Sequence, residues 1–253
     1  MLDYDSIKRN IPEHFELILL DTVDSTNEYA KGLVKNGMLK DAVVIAKEQL
    51  KGKGTKGRSF YSPSGKGLYL SYLFHRNTTV EELPPITPLA AVAVKRAVER
   101  CFSLGVQIKW VNDIVVENKK LCGILTETVT NPSNNNVSVI IGIGVNIYMG
   151  EFPIEIKDKV TALSEYCHDI ELNCFTFEIV NQIDLLLSSD ISLEYMKEYK
   201  DSSSVIGKDI SYMYNSECLT GKAVDIDEKG HLIVEVGNSH ITLLSGDVSI
   251  NTI

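Results

Sequence analysis

The sequence predicts an α+β protein in two parts, a larger domain of mixed strands and helices over residues 1–204 and a small all-β unit over residues 205–253. Three observations carry that expectation. The 253 residues are 44% apolar, enough for one substantial core or for a large domain with a small one beside it. The strongest helix signal, Thr87–Arg100, lies among short apolar runs that read as strands. From Val205 the character changes to short β runs separated by glycine and acidic turns.

Leu17–Leu20 is a short apolar run, and the stretch Asp24–Lys31 behind it reads as a helix that Asp24 or Ser25 can cap, with Glu28 in its first turn. Ala42–Ala46 reads as a buried strand leading into a glycine-rich loop, and Gly67–Phe74 as the strand leaving it. In Thr87–Arg100 a threonine cap is followed by proline at the first helical position. Val106–Trp110, Ile114–Glu117, Lys120–Glu127 and Val137–Val145 then suggest consecutive strands, the second and third joined by an Asn118-Lys119 turn. Helices are expected over about 158–168 and 176–200, the latter interrupted near Ser188-Ser189-Asp190. The small unit is expected to be a barrel of four short runs, Ile206–Ile210, Gly221–Asp227, Gly230–Val236 and Ile241–Ile250.

Composition narrows the function. Asp3 and Asp5 open the chain where a secretion signal would be basic, and the longest aliphatic run, Val139–Val145, is too short to span a bilayer. The expected compartment is therefore the cytoplasm, with no membrane partner. Five cysteines form no paired spacing, so neither a disulfide framework nor a zinc site is indicated, and Cys122 reads as buried packing. A formal charge of −9 argues against broad affinity for nucleic acid. The charge is uneven, however: Lys47–Arg58 holds five basic residues against one acid, a local anion site on an acidic chain.

Three stretches can carry chemistry. Lys51–Ser59 comes close to a nucleotide-binding P-loop, but Pro63 and Ser64-Gly65 follow where a helix would have to start. The run is then either an irregular loop able to wrap phosphate oxygens or a solvated basic turn. In Lys109-Trp110-Val111-Asn112-Asp113, Asn112 and Asp113 at a strand end can orient a nucleotide or a metal, and Lys109 with Lys120 offers point charges to anionic oxygens. Trp110, the single tryptophan, reads as a core or interface aromatic at least as readily as a substrate contact. Gly142-Ile143-Gly144-Val145-Asn146 lacks the dinucleotide fingerprint, and its glycines mark a close approach to a neighbour or a ligand.

In order, Asp24-Ser25-Thr26-Asn27, Gln49 with Gly52–Arg58, Ser62–Gly65, Lys109–Asp113, Lys120–Leu125 and Gly142–Asn146 resemble the biotin protein ligases from about residue 17 to the end of the chain. The resemblance implies a class II synthetase-like catalytic domain of the biotin–lipoate ligase type with a mixed β-sheet and helices. It also implies an SH3-like barrel, which Gly221–Asp227 and Ser245–Ile250 fit. Such enzymes activate biotin with ATP and Mg²⁺ to biotinoyl-5′-AMP and then acylate a lysine of a biotin carboxyl carrier domain. Because little precedes Leu17, the likeness is to the class without an N-terminal DNA-binding domain, and no operator DNA is expected as a partner. Similar enzymes often pair through sheet edges, so a homodimer is a further expectation of the resemblance.

Residue by residue, the resemblance assigns Ser25, Thr26, Asn27, Gln49, Gly52, Lys53, Thr55, Lys120 and Gly123 to biotin. It assigns Lys53, Gly54, Lys56, Arg58, Phe60, Lys109, Asn112, Lys120 and Asn146 to ATP. Lys120, Asp113 and Arg58 are the implied catalytic set, and Asp113 the implied Mg²⁺ ligand. The family loop is close to GRGRRGR, whereas this chain has GKGTKGR, so Lys53 and Lys56 keep charge without the guanidinium fork and Thr55 loses it. Phe60 stands where a tryptophan is usual, and Val111 where a proline is. Two alternatives remain: a lipoate or octanoate ligase of similar fold, and a noncatalytic biotin sensor or carrier-binding module.

Overall fold

The computed structural model describes residues 2–131, 136–188, 194–214 and 217–251. Among them run the helices α1 (Tyr4–Asn10), α2 (Thr26–Lys35), α3 (Ile86–Phe102), α4 (Leu172–Ser188) and α5 (Glu194–Asp201). Seven strands form the main sheet: β1 (Glu16–Val23), β2 (Ala42–Gln49), β3 (Gly67–Asn77), β4 (Gln107–Lys109), β5 (Asp113–Val116), β6 (Lys119–Asn131) and β7 (Asn136–Asn146). Their order is β1-β2-β3-β7-β6-β5-β4, with β1 parallel to β2 and the other pairs antiparallel. The mixed sheet and its helices are the α+β architecture that the sequence predicts.

The long apolar runs of β3 and β7 have a simple cause: both faces of the sheet are covered. Along β7, Val137, Val139, Ile141, Ile143 and Val145 join the main core with the buried faces of α3, α4 and α5. The residues between them face the other way, where α2 buries Ala30 against Ala42, Val44, Leu73 and Ile140. On that second face Ser71 pairs with Gly142 and Tyr69 with Gly144, and the missing side chains leave room for a ligand cleft beside α2.

Several elements differ from the sequence expectation. Residues 158–168 are not an α-helix: Lys120 N donates to Lys159 O at 2.8 Å and Thr161 N to Lys120 O at 2.9 Å, so this segment runs beside β6, and only Leu163–Glu165 makes a 3-10 turn. Pro85 rather than Thr87 is the cap residue of α3, and Thr87 Oγ1 instead donates to Thr126 Oγ1 at 3.1 Å. The turn between β5 and β6 is centred on Glu117 (φ 50°) and Asn118 (φ 64°), one residue earlier than expected. The short α1, capped by the Asp3 carboxylate on Asp5 N at 3.2 Å, was not foreseen. Part of the expected interruption at Ser188-Ser189-Asp190 lies outside the described residues.

The C-terminal unit is a five-stranded antiparallel sheet of β8 (Asp209–Tyr214), β9 (Glu217–Ile226), β10 (Leu232–Val236), β11 (Ser239–Leu243) and β12 (Val248–Ile250), ordered β11-β10-β9-β8-β12. It docks on the larger domain through Trp110, which is 3% exposed and donates from Nε1 to Gly230 O at 2.9 Å. The chain's single tryptophan is thus a core and interface aromatic, outside the lining of the cleft described below. Lys200 adds an ion pair to Asp225 at 2.9 Å. Among the described residues, no helix is long and apolar enough to cross a membrane.

Candidate active site

A cleft of about 410 Å³ opens on the sheet face that carries the glycines. Its floor is a cross-strand row in which Tyr69 pairs with Gly144, Gly144 with Gly123, Gly123 with Asp113 and Asp113 with Lys109. Both glycines let side chains approach the backbone closely. A Cβ on Gly144 would stand 2.5 Å from Phe60 Cε1, and one on Gly123 would stand 2.9 Å from Lys120 Nζ. The Phe60 ring therefore rests on bare backbone, with the Lys120 ammonium 5.7 Å from its centre.

Lys120 and Gly123 are three positions apart on one strand, so in regular pleating they would point to opposite faces. A β-bulge resolves this. The register between β5 and β6 shifts between Ile114 and Val115, so that Cys122 opposes Ile114 while Lys120 opposes Val115. The extra residue turns Lys120 into the cleft, a common use of bulges beside functional sites. There its Nζ lies 2.7 Å from Asp113 Oδ1. The contact is an ion pair without the angle of an aligned hydrogen bond, which leaves Asp113 Oδ1 buried with unused acceptor capacity.

Neighbouring amides hold this backbone in place. Asn146 Nδ2 donates to Thr161 O at 2.9 Å and to Lys120 O at 3.3 Å, clamping the strand that carries Lys120. Asn112 Nδ2 donates to Ile124 O at 2.6 Å while Ile124 N donates to Asn112 O at 2.9 Å. Both asparagines line the cleft, yet each is 9% exposed or less and already works as a brace. The Trp110–Val111 peptide before Asn112 is cis.

The opposite end of the cleft is a chain of polar groups around the start of α2, with Ser25 at its cap position. Gln49 Oε1 accepts from Thr26 N at 2.9 Å, and Gln49 Nε2 donates to Ser62 Oγ at 3.0 Å, which fixes the orientation of the amide. Ser62 Oγ in turn donates to Phe60 O at 2.9 Å. A Cβ on Gly52 would collide with that same carbonyl and stand 2.6 Å from Ser62 Oγ. Ser71 Oγ donates to Asn27 Oδ1 at 2.6 Å and lies 2.7 Å from Thr26 Oγ1.

The basic loop borders the cleft, with Lys53, Gly54, Thr55, Arg58 and Phe60 in its lining. Carboxylates of the body hold three of its cations: Lys51 on Asp24 at 2.8 Å, Lys53 on Glu28 at 2.7 Å and Arg58 on Asp247 of the C-terminal unit at 2.7 Å. Hydrogen bonds from Lys31 and Lys53 hold the Glu28 carboxyl at about 2, well below the usual carboxylate range. Cys122 is fully buried, and burial pushes its thiol up, which leaves no nucleophile there.

Of the residues singled out in the sequence, Ser25, Thr26, Asn27, Gln49, Lys53, Gly54, Thr55, Arg58, Phe60, Lys109, Asn112, Asp113, Lys120, Gly123 and Asn146 all line this one cleft. Gly52 and Lys56 are outside its lining, Gly52 packed beneath the loop and Lys56 exposed at its tip. Glu28, Glu127, Ser62, Ser71 and Asp247 were not singled out. All five lie within runs quoted from the sequence, Glu28 as a first-turn acid of a helix, but none was given a role in the site.

A mixed sheet, a glycine floor, an inward lysine–aspartate pair and a cationic loop define a ligase-type cleft for anionic reactants. The chain belongs to the biotin/lipoate A/B protein ligase family, whose model matches residues 19–146, and the model of the biotin protein ligase C-terminal domain matches residues 206–250. The bifunctional ligase/repressor BirA of Bacillus subtilis is 30% identical over 251 residues, covering 92% of this chain and 74% of that relative. The biotin–[acetyl-CoA-carboxylase] ligase of Mycobacterium tuberculosis is 24% identical, covering 92% of this chain and 88% of the relative. Among solved structures, the biotin protein ligase of Aquifex aeolicus in complex with biotin and ATP superposes with a TM-score of 0.77 at 28% identity, covering 93% of this chain and 98% of that one.

Proposed function

We infer that this chain is an ATP-dependent biotin protein ligase, which activates biotin to biotinoyl-5′-AMP with release of pyrophosphate and passes the acyl group to a lysine of a carrier domain. The observation that carries the reading is the convergence of Lys120, Asp113 and the loop cations on one glycine-floored cleft.

The chemical obstacle is repulsion. A carboxylate must attack an α-phosphate that is itself negative, and charge then builds on the departing pyrophosphate. We assign Lys120 to the space between the two anions, where a fixed ammonium in a closed site lowers the barrier most. Arg58 exchanges its carboxylate partner for phosphate oxygens as ATP enters, and Lys53, seated on Glu28, adds positive charge beside them. Thr26, Gln49 and Ser25 meet the ureido ring of biotin, and Phe60 covers the bound acyl-adenylate. No protein nucleophile is required, because the substrate carboxylate attacks first and the carrier lysine second.

The spare acceptor capacity of Asp113 Oδ1 fits Mg²⁺, which is usually held by one or two carboxylates together with substrate phosphates. Bound there, the metal would neutralise charge on the phosphates. The larger domain is taken to end near residue 204, and the cytoplasm is the compartment in which the reading places the reaction.

Incubating the chain with [α-³²P]ATP and either biotin or lipoate distinguishes the acyl substrates. A labelled adenylate is expected with biotin alone, and formation with lipoate alone would move the chain to the lipoate branch. Transfer of labelled biotin to a carrier domain is expected next. Binding without transfer would make the protein a sensor.

A further inference from the structure

The three loop cations sit on carboxylates that differ in how they are anchored. Asp24, under Lys51, is 55% exposed, and Asp247, under Arg58, is 50% exposed. Surface pairs of that kind hold little. Glu28 is different, because its Oε1 receives Lys53 at 2.7 Å and also Lys31 at 2.8 Å.

Lys31 is itself fixed from the other side. Its side chain is 19% exposed, and Glu127 Oε1 holds it at 2.6 Å. The second oxygen of Glu127 accepts from Asn27 Nδ2 at 2.9 Å, and Asn27 Oδ1 accepts from the buried Ser71 hydroxyl. Asn27 is 3% exposed and lies against the backbone of Gly142, where a Cβ would collide with its Oδ1. An unbroken series of polar contacts thus runs from the cleft floor through Asn27, Glu127, Lys31 and Glu28 to Lys53 of the loop.

We propose that Glu28 is a positioning residue for the ligase reaction: it is the seat on which Lys53 docks the basic loop, so that loop closure is tied to the wall of the acyl-binding end of the cleft. The residue touches no substrate. Its effect is on how long the loop stays down over the mixed anhydride, and therefore on how well the intermediate is kept from water. The arrangement matters more in this chain because Thr55 stands where the related loop carries charge, which leaves fewer cations to hold the loop on phosphate. The strongly lowered Glu28 carboxyl is consistent with a seat occupied by two ammonium groups.

The part of the proposal that concerns retention of the adenylate rests on the biotin ligase reading; the part that concerns loop docking does not. Two readouts on the full chain separate them. Hydrogen–deuterium exchange of the ligand-free protein reads docking alone. Glu28→Gln and Lys53→Met are each expected to raise uptake in residues 52–58 by about two- to fivefold, the range a partly exposed ion pair supports, while the amides of α2 stay unchanged. The double variant should be no faster than Lys53→Met, and Lys53→Arg should resemble the wild type.

The second readout is release of preformed labelled biotinoyl-5′-AMP into solution, expected to quicken by the same two- to fivefold in Glu28→Gln, with pyrophosphate exchange at saturating biotin and ATP nearly unaltered. Unchanged uptake in residues 52–58 of Glu28→Gln, uptake rising equally along α2, or single effects that multiply in the double variant would each overturn the proposal. So would faster loop exchange with no faster release. If the wild-type chain forms no adenylate from biotin and ATP, the ligase reading fails, and with it the retention role, while the exchange experiment still decides whether Glu28 docks the loop.

Discussion

Lys120 and Lys53 border the same cleft, yet the chain holds them by opposite means. Lys120 is aimed by backbone: a bulge in β6, hydrogen bonds to Lys159 and Thr161, and the Asn146 brace fix it before any ligand arrives. Lys53 stands on a loop whose backbone pairs with itself at Ser59, and its ammonium is aimed by charge, through a half-exposed pair to Glu28. The difference fits the two tasks. A group that stabilises developing charge works best when it needs no reorganisation, whereas a loop that must admit two substrates and then cover them needs contacts that break at low cost.

Overfilling the floor is the harshest way to break the fixed half. Gly144→Val places side-chain atoms where Phe60 rests and is expected to cut adenylate formation by roughly a hundredfold, the scale of a misplacement of about 1 Å, with about 1–3 kcal/mol lost in thermal or urea unfolding. Steady-state adenylation and urea titration of the same preparation measure both. On the loop side, Arg58→Ala should raise the KM for ATP by roughly tenfold through one lost charged hydrogen bond. Asp247→Ala should leave that KM unchanged or lower it, since it frees Arg58 from its partner in the ligand-free chain.

The smallest effect expected is on stability against pH. Glu28 is lowered from 4.5 to about 2 in the folded chain, so the stability it contributes is complete above pH 4.5 and is lost as pH falls through about 2. The pair is more than one-third exposed, which limits that contribution to about 1 kcal/mol or less. Unfolding of Glu28→Gln and the wild type should therefore differ slightly at pH 6, and the difference should close between pH 4.5 and 2.

Local patterns account for what could be read in advance. Apolar runs, alternating or continuous, and clustered turn residues mark β2 to β7, and the residues of the floor lie in short contiguous stretches on those strands. The bulge at Leu121 leaves no such mark, because only the pairing of β6 with β5 reveals that Lys120 and Gly123 share a face. Residues 158–168 carry helix-forming side chains but meet the edge of β6, where the backbone of Lys120 requires partners, and tertiary pairing overrides propensity. Asp247 is paired with an arginine 189 positions earlier in the chain, and Glu127 with an asparagine 100 positions away. Their roles exist only after the chain has folded.

Biotin-dependent ATP–pyrophosphate exchange, compared between Lys120→Ala and Lys53→Ala, tests the fixed-floor account most directly. The expected result is a loss of at least about a hundredfold for Lys120→Ala, the scale of removing one preorganised charge-stabilising group, against less than about tenfold for Lys53→Ala. Near-normal exchange by Lys120→Ala, or a greater loss in Lys53→Ala, would contradict it.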